Sequence, residues 1–220
     1  MSLMGMISRW TADFLPRPVV SLPLSRDTVT LRGESIGSLP SREIARRGVA
    51  RTFQHVKLIA GMTVLEDVAL VAHLRGRSGV VSAMLRFDRT QERQLLKDAE
   101  KQLRRIGMHA SMHELAGKLA LGPQRLMEIA RALCTDPTLL LLDEPAAGLR
   151  LKEKQALADA RRQLRREGLS ILLVEHDIDL VMGMHDRIVV MEFGTRLIEG
   201  TPAEVQASLA VRAAYLGTEH

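Results

Sequence analysis

Four consecutive leucines, Leu139 to Leu142, run without a polar interruption into Asp143-Glu144-Pro145. Such a run suits a strand buried on both faces, as in a parallel sheet covered by helices. Pro145 stops it, because proline has no N–H to continue a ladder. A second apolar run, Leu169 to Val174, closes on Glu175-His176-Asp177, and a shorter one, Val49 to Phe53, closes on Gln54-His55. Polar residues at the carboxyl ends of buried strands lie where open α/β sheets bind ligands.

Helical patterns fill the intervals. Thr63-Val64-Leu65-Glu66 is a capping box that opens a helix to about Leu74, with Gly76 and Gly79 breaking it. A longer amphipathic helix spans about Thr90 to Ile106, with Leu95, Leu96, Ala99 and Leu103 on one face. A short helix is expected around Met112 to Ala116, and Pro123 suits the first turn of the next, which runs to about Thr135. Further helices are expected at Lys152 to Glu167, closed by Gly168, and at Ile178 to Met184, capped by Asp177. Before the first buried strand, Val29 to Glu34 suggests a strand and turn, and Ser41 can cap a basic helix, Arg42 to Arg47. Arg187 to Glu192 and Thr195 to Glu199 form a hairpin pattern around Gly194, and Thr201-Pro202-Ala203-Glu204 is a second capping box. Strands alternating with helices predict an α/β sheet. The nearly all-helical stretch 63–135 is expected to be a subdomain inserted into a single domain, 1–220. Residues 1–27, interrupted by Pro16, Pro18 and Pro23, are poorly patterned.

Composition narrows the function classes. The 220 residues are enough for a sizeable core, and no apolar run approaches the roughly 20 residues of a membrane helix. The single cysteine, Cys134, excludes an internal disulfide and suits a reducing cytoplasm. A net charge of +5 points weakly to acidic partners, but 3% aromatics argue against single-stranded nucleic acid, which is bound by base stacking. Arg161, Arg162, Arg165 and Arg166 are expected to form a solvated basic face rather than a nucleic-acid site. His109 and His113, four apart, lack a third metal ligand, and Met182, Met184 and Met191 are simplest as core.

An acidic pair ending a buried strand is the Walker B arrangement of nucleotide hydrolases: Asp143 would hold Mg²⁺ and Glu144 would orient and polarise the attacking water. With Gly48-Val49-Ala50-Arg51-Thr52-Phe53-Gln54, Met62 to Val68, Glu128 to Leu133, Ala146-Ala147-Gly148-Leu149, Leu173 to Asp177 and Gly200 to Val205, the chain resembles the ATP-binding subunit of an ABC transporter. Branched-chain amino-acid importers give the best match. The resemblance runs from about Val29 to the C-terminus in the family's order and spacing.

The resemblance implies a P-loop NTPase-like parallel sheet with an inserted helical subdomain. It makes Gln54 the glutamine that contacts Mg²⁺ or the attacking water, and His176 the histidine that bonds the γ-phosphate. It places Ala120, Leu121, Gly122 and Gln124 in the signature loop that meets the nucleotide of a second ABC ATPase subunit, in a homo- or heterodimer. The implied partners are transmembrane permease subunits on the inner face of the cell membrane, with ATP and Mg²⁺ as ligands and no nucleic acid.

Three departures stand out. No Gly-x-x-x-x-Gly-Lys-Ser/Thr occurs, and Ser2 to Ser8 resembles the helix that follows that loop, so the core is expected to be N-terminally incomplete and impaired. Ala120 and Pro123 stand where the family pattern has serine and glutamine, and Arg150 replaces a polar residue after Leu149. A non-catalytic half-site or an inactive gene fragment is the alternative reading.

Overall fold

The computed structural model describes residues 29–52, 58–76, 89–183, 185–211 and 213. The expectations for 1–27, Gln54 and Met184 lie outside these residues. The chain divides into two compact units, 45–176 and the pair of segments 1–44 and 177–220.

The first described strands are a short hairpin, β1 (Thr30–Leu31) and β2 (Glu34–Ser35). Its turn residues Arg32 and Gly33 both have positive φ, 52° and 84°, the twist that a two-residue hairpin requires. Helix α1 (Ser41–Arg46) follows. The carbonyl of Pro40 accepts the first N–H groups, from Glu43 and Ile44 at 2.8 and 3.2 Å, so Ser41 is the first helical residue.

The unit 45–176 is built on a parallel sheet. Strand β3 (Val49–Arg51) pairs with β4 (Leu139–Asp143), which pairs with β5 (Ser170–Val174), in the order β3-β4-β5. Register runs Arg51 to Leu141 and Asp143 to Val174. Gly48 fixes the entry to β3: its carbonyl accepts from Thr138 and Leu139, and a Cβ there would lie 2.8 Å from Thr138 Oγ1. Its φ of +86° adds a second reason for glycine. Leu140 and Leu142 are buried, as expected of a covered central strand. Strand β5 is less covered than its composition suggests; Leu172 is 52% exposed, because among the described residues β5 is paired on one side only.

Three helices make the inserted layer: α2 (Val64–Gly76), α3 (Arg89–Arg105) and α4 (Leu121–Leu133). Thr63 and Glu66 form the expected capping box, with Thr63 N donating to Glu66 Oε2 at 2.9 Å and Glu66 N to Thr63 Oγ1 at 3.3 Å. The single helix expected at Met112 to Ala116 is replaced by 3₁₀ turns, His109–Ser111 and Ala116–Lys118. Between them the chain binds back on α2's start, with Val64 N donating to Glu114 O and Leu65 N to Met112 O, both at 2.9 Å. These tertiary bonds displace the local helical preference. A buried charge cluster crosses the layer: Arg131 on α4 donates through Nε to Asp67 Oδ1 at 2.8 Å and through Nη1 to Glu128 Oε1 at 2.8 Å. The other oxygen of Asp67 accepts from Ile59 N at 2.8 Å.

Helix α5 (Leu151–Arg166) connects β4 to β5. Its arginines do not form one solvated face. Arg162, Arg165 and Arg166 are exposed, but Arg161 is buried because it shares the inner stripe of Leu157 and Leu164.

After residue 176, α6 (Ile178–Met182) starts at Asp177, whose Oδ1 accepts from Leu180 N at 3.2 Å. The predicted hairpin is β6 (Ile188–Glu192) with β7 (Thr195–Gly200). Thr201 and Glu204 complete their capping box at the start of α7 (Pro202–Ala207), and α8 (Leu209–Val211) follows. Met182 and Val190 pack on a core of Ile188, Val205 and Val211, as expected for Met182.

Candidate functional site

The carboxyl edge of the parallel sheet gathers most of the polar residues singled out above. Past the end of β4, Glu144 N still donates to Val174 O at 2.9 Å, so β5 holds the backbone of the acidic pair. Glu144 has φ of +44°, the left-handed region that a residue with a Cβ adopts at a cost of about 1–2 kcal/mol. Such strain persists only where neighbours over-determine it, and here they do. Ala147 N donates to Glu144 O at 3.2 Å, and Ala146 N to Glu175 Oε1 at 2.8 Å. The turn after the strand is thus fastened at three points, and the Glu144 side chain remains 20% exposed.

Charge balance at this edge is specific. Arg51, ending β3, donates to Asp143 Oδ2 at 2.9 Å. His176 Nδ1 lies 3.9 Å from Glu144 Oε1 and 4.0 Å from Glu175 Oε2, with its imidazole 65% exposed. Glu175 is the inner of these two carboxylates, 1% exposed, and burial raises its pKa above the ordinary 4.5 against the opposing bond from Ala146 N. Behind it, burial pulls down the pKa of Arg161, while the Glu175 carboxylate favours its charged form. The arrangement offers a partly exposed carboxylate beside an exposed imidazole, on a rigid turn. That pair can take up a proton and donate a hydrogen bond to an oxyanion.

Ala120, Leu121, Gly122 and Gln124 form the first turn of α4, with Ala120 as its N-cap and no side-chain cap bond there. Gln124 turns back, its Nε2 donating to Leu119 O at 2.8 Å. Gly122 N donates to Glu153 Oε1 at 3.0 Å, and the other oxygen of Glu153 accepts from Arg150 N at 2.9 Å. Those two bonds, Arg150's first, lower the pKa of Glu153.

Asp143, Glu144 and His176 therefore meet at one sheet edge, while Gln54 falls outside the described residues. Three residues escaped the sequence reading. Arg51 could have been suspected as a charge at the end of a buried strand. Glu175 stands inside the quoted motif but had no role. Glu153 accepts from Arg150 N, which is half of a capping box; arginine has no acceptor for the other half, so the sequence pattern is hidden.

For a divalent cation, the donor chemistry fits Mg²⁺ carried on a nucleotide. Mg²⁺ uses one or two carboxylates plus phosphates and water. Among the described residues no group of three or more His, Cys, Asp or Glu is arranged to hold a metal ion by itself, and Asp143 supplies one carboxylate at the sheet edge, with Oδ2 accepting from Arg51.

The parallel sheet with an inserted helical layer and an acidic pair ending its central strand is the fold of a P-loop NTPase cassette. A family model described as ABC transporter matches residues 19–147, and one described as branched-chain amino acid ATP-binding cassette transporter matches 199–220. The high-affinity branched-chain amino acid transport ATP-binding protein LivG of Salmonella typhimurium is 45% identical over 194 residues, covering 86% of this chain and 76% of that protein. BraF of Pseudomonas aeruginosa, with the same description, is 40% identical over 192 residues, covering 86% and 75%. The ADP conformation of MJ1267, an ATP-binding cassette of an ABC transporter, superposes with a TM-score of 0.76 at 28% identity, covering 90% of this chain and 79% of that one. The chain belongs to the ABC transporter ATP-binding family.

Proposed function

We propose that this chain is the ATP-binding subunit that energises an ABC importer of branched-chain amino acids or related substrates. The observation that carries the reading is the sheet edge where Asp143, Glu144 and His176 converge. The description of LivG and BraF as branched-chain amino acid transport proteins supports the substrate class. Asp143, with Gln54 as a second contact, would hold a Mg²⁺ ion, which would supply positive charge against the phosphates. Glu144 takes the proton of the water that attacks the γ-phosphorus, and ADP leaves as the P–O bond breaks. His176 donates to a γ-phosphate oxygen from the end of β5, and the strained turn holds Glu144 ready without reorganisation. The chain works as a peripheral subunit on the inner face of the membrane, against transmembrane permease subunits and a second ATPase subunit. No helix among the described residues is long and apolar enough to cross a membrane itself.

A second reading has its own support. The 220 residues contain no Gly-x-x-x-x-Gly-Lys-Ser/Thr, and Ala120 offers no hydroxyl. The polypeptide of these residues is then a partner half-site. Three missing charge-assisted bonds alone would weaken nucleotide binding by more than about a thousandfold, to millimolar affinity. Calorimetry of the 220-residue polypeptide with Mg-ATP separates the two: micromolar binding supports the catalytic reading and sinks the half-site. Deleting the gene and measuring leucine, isoleucine and valine uptake tests the transport role. Unchanged uptake of all three would refute it.

A further inference from the structure

We propose that Glu153 is a positioning residue that fixes the first turn of α4 to the first turn of α5, so that loops 119–124 and 146–150 move as one unit. Its two oxygens serve different helices: Oε1 accepts from Gly122 N at 3.0 Å and Oε2 from Arg150 N at 2.9 Å. The carboxylate thus sits at the positive ends of two helix dipoles at once, and the two N–H groups depress its pKa. Packing fits the same link. A Cβ on Gly122 would lie 2.7 Å from Glu153 Cγ, so the glycine is what lets the carboxylate reach the amide. Nearby, a Cβ on Gly148 would lie 3.2 Å from Leu121 Cδ2, and Gly148 has φ of +75°. Ala120 and Arg150 cap their helices with extended backbone and no side-chain cap bond. Glu153 supplies from α5 what neither cap residue gives.

The functional consequence rests on the reading under Proposed function. There the first turn of α4 meets the nucleotide of the second ATPase subunit, and the loop 146–150 continues the turn that carries Glu144, so a fixed spacing between them ties the two contacts together. Losing the link misplaces groups needed in the transition state more than it weakens ground-state binding.

The test has two arms. In the 220-residue polypeptide, Glu153→Ala accelerates amide hydrogen exchange at Gly122 and Arg150 by about ten- to hundredfold, while Leu140 and Leu142 in β4 keep their rates. Glu153→Gln, with one acceptor oxygen left, keeps one of the two amides protected. Unchanged exchange at Gly122 and Arg150, or equal acceleration in β4, overturns the proposal. In the complex assembled with its membrane subunits and a second ATPase subunit, Glu153→Ala lowers kcat by about tenfold with KM for ATP unchanged. A raised KM at unchanged kcat overturns the positioning role. If the parent complex hydrolyses no ATP, the proposed function fails, while the exchange arm still decides whether Glu153 joins the two helices.

Discussion

The guanidinium of Arg51 donates to Asp143 Oδ2 across 2.9 Å, joining the last residue of β3 to the last residue of β4. The two side chains are only 11% and 8% exposed, so the pair is largely shielded from water. Removing one partner of such a pair leaves a buried charge and costs about 3–5 kcal/mol. Arg51→Met should lower stability by that order in urea unfolding. The double variant Arg51→Met with Asp143→Asn should cost clearly less than the sum of the single changes. Additive losses would mean the pair is not coupled.

Glu144→Gln separates binding from hydrolysis. The amide fills the same space on the same strained turn but cannot take a proton at neutral pH. In the assembled transporter it should abolish ATP hydrolysis while ATP remains bound, measured by phosphate release and by retention of labelled nucleotide. Hydrolysis at the parent rate would remove Glu144 from the mechanism.

Stability against pH should show two opposed contributions. Glu175 has a folded pKa raised above 4.5, so the folded state binds its proton more tightly. Stability therefore rises as pH falls through that folded value and levels off below 4.5. Glu66, Glu153 and Glu204 run the other way. Backbone N–H groups lower their folded values, and their contribution is present above 4.5 and lost as pH falls below it. Glu175→Gln keeps an acceptor for Ala146 N–H but removes the titration. Unfolding curves taken from neutral to below 4.5 should lose the acid-side rise and retain the later fall.

The buried cluster in the helical layer should matter to folding as much as any apolar residue. Asp67 is fully buried and accepts from both Arg131 and Ile59 N, while Arg131 also donates to Glu128. Arg131→Met leaves two buried carboxylates without that cation and should cost about 3–5 kcal/mol in chemical denaturation. A loss below about 1 kcal/mol, as at a surface ion pair, would show that water reaches the cluster.

Much of this protein is determined by local rules that a sequence carries openly. A run such as Leu139 to Leu142 reads as a covered strand, because consecutive apolar side chains point to both faces of a sheet. Thr63 with Glu66 and Thr201 with Glu204 mark helix starts, because a cap needs only residues three apart. Asp143 and Glu144 could be placed at a sheet edge because they end the leucine run, whereas the role of His176 came from the family resemblance of Leu173 to Asp177. What the tertiary structure alone decided lies between distant segments. Arg51 meets Asp143 across 92 positions, and Gly122 meets Glu153 across 31, distances at which no periodicity carries a signal. The helix expected at Met112 to Ala116 gave way because the start of α2 bonds the carbonyls of Met112 and Glu114. Arg161 went inward with the stripe of Leu157 and Leu164, and Glu175, 14 positions on, offsets part of the cost of burying its charge. In each case a residue whose local preference is weak or exposed is redirected by a partner that only folding brings within reach.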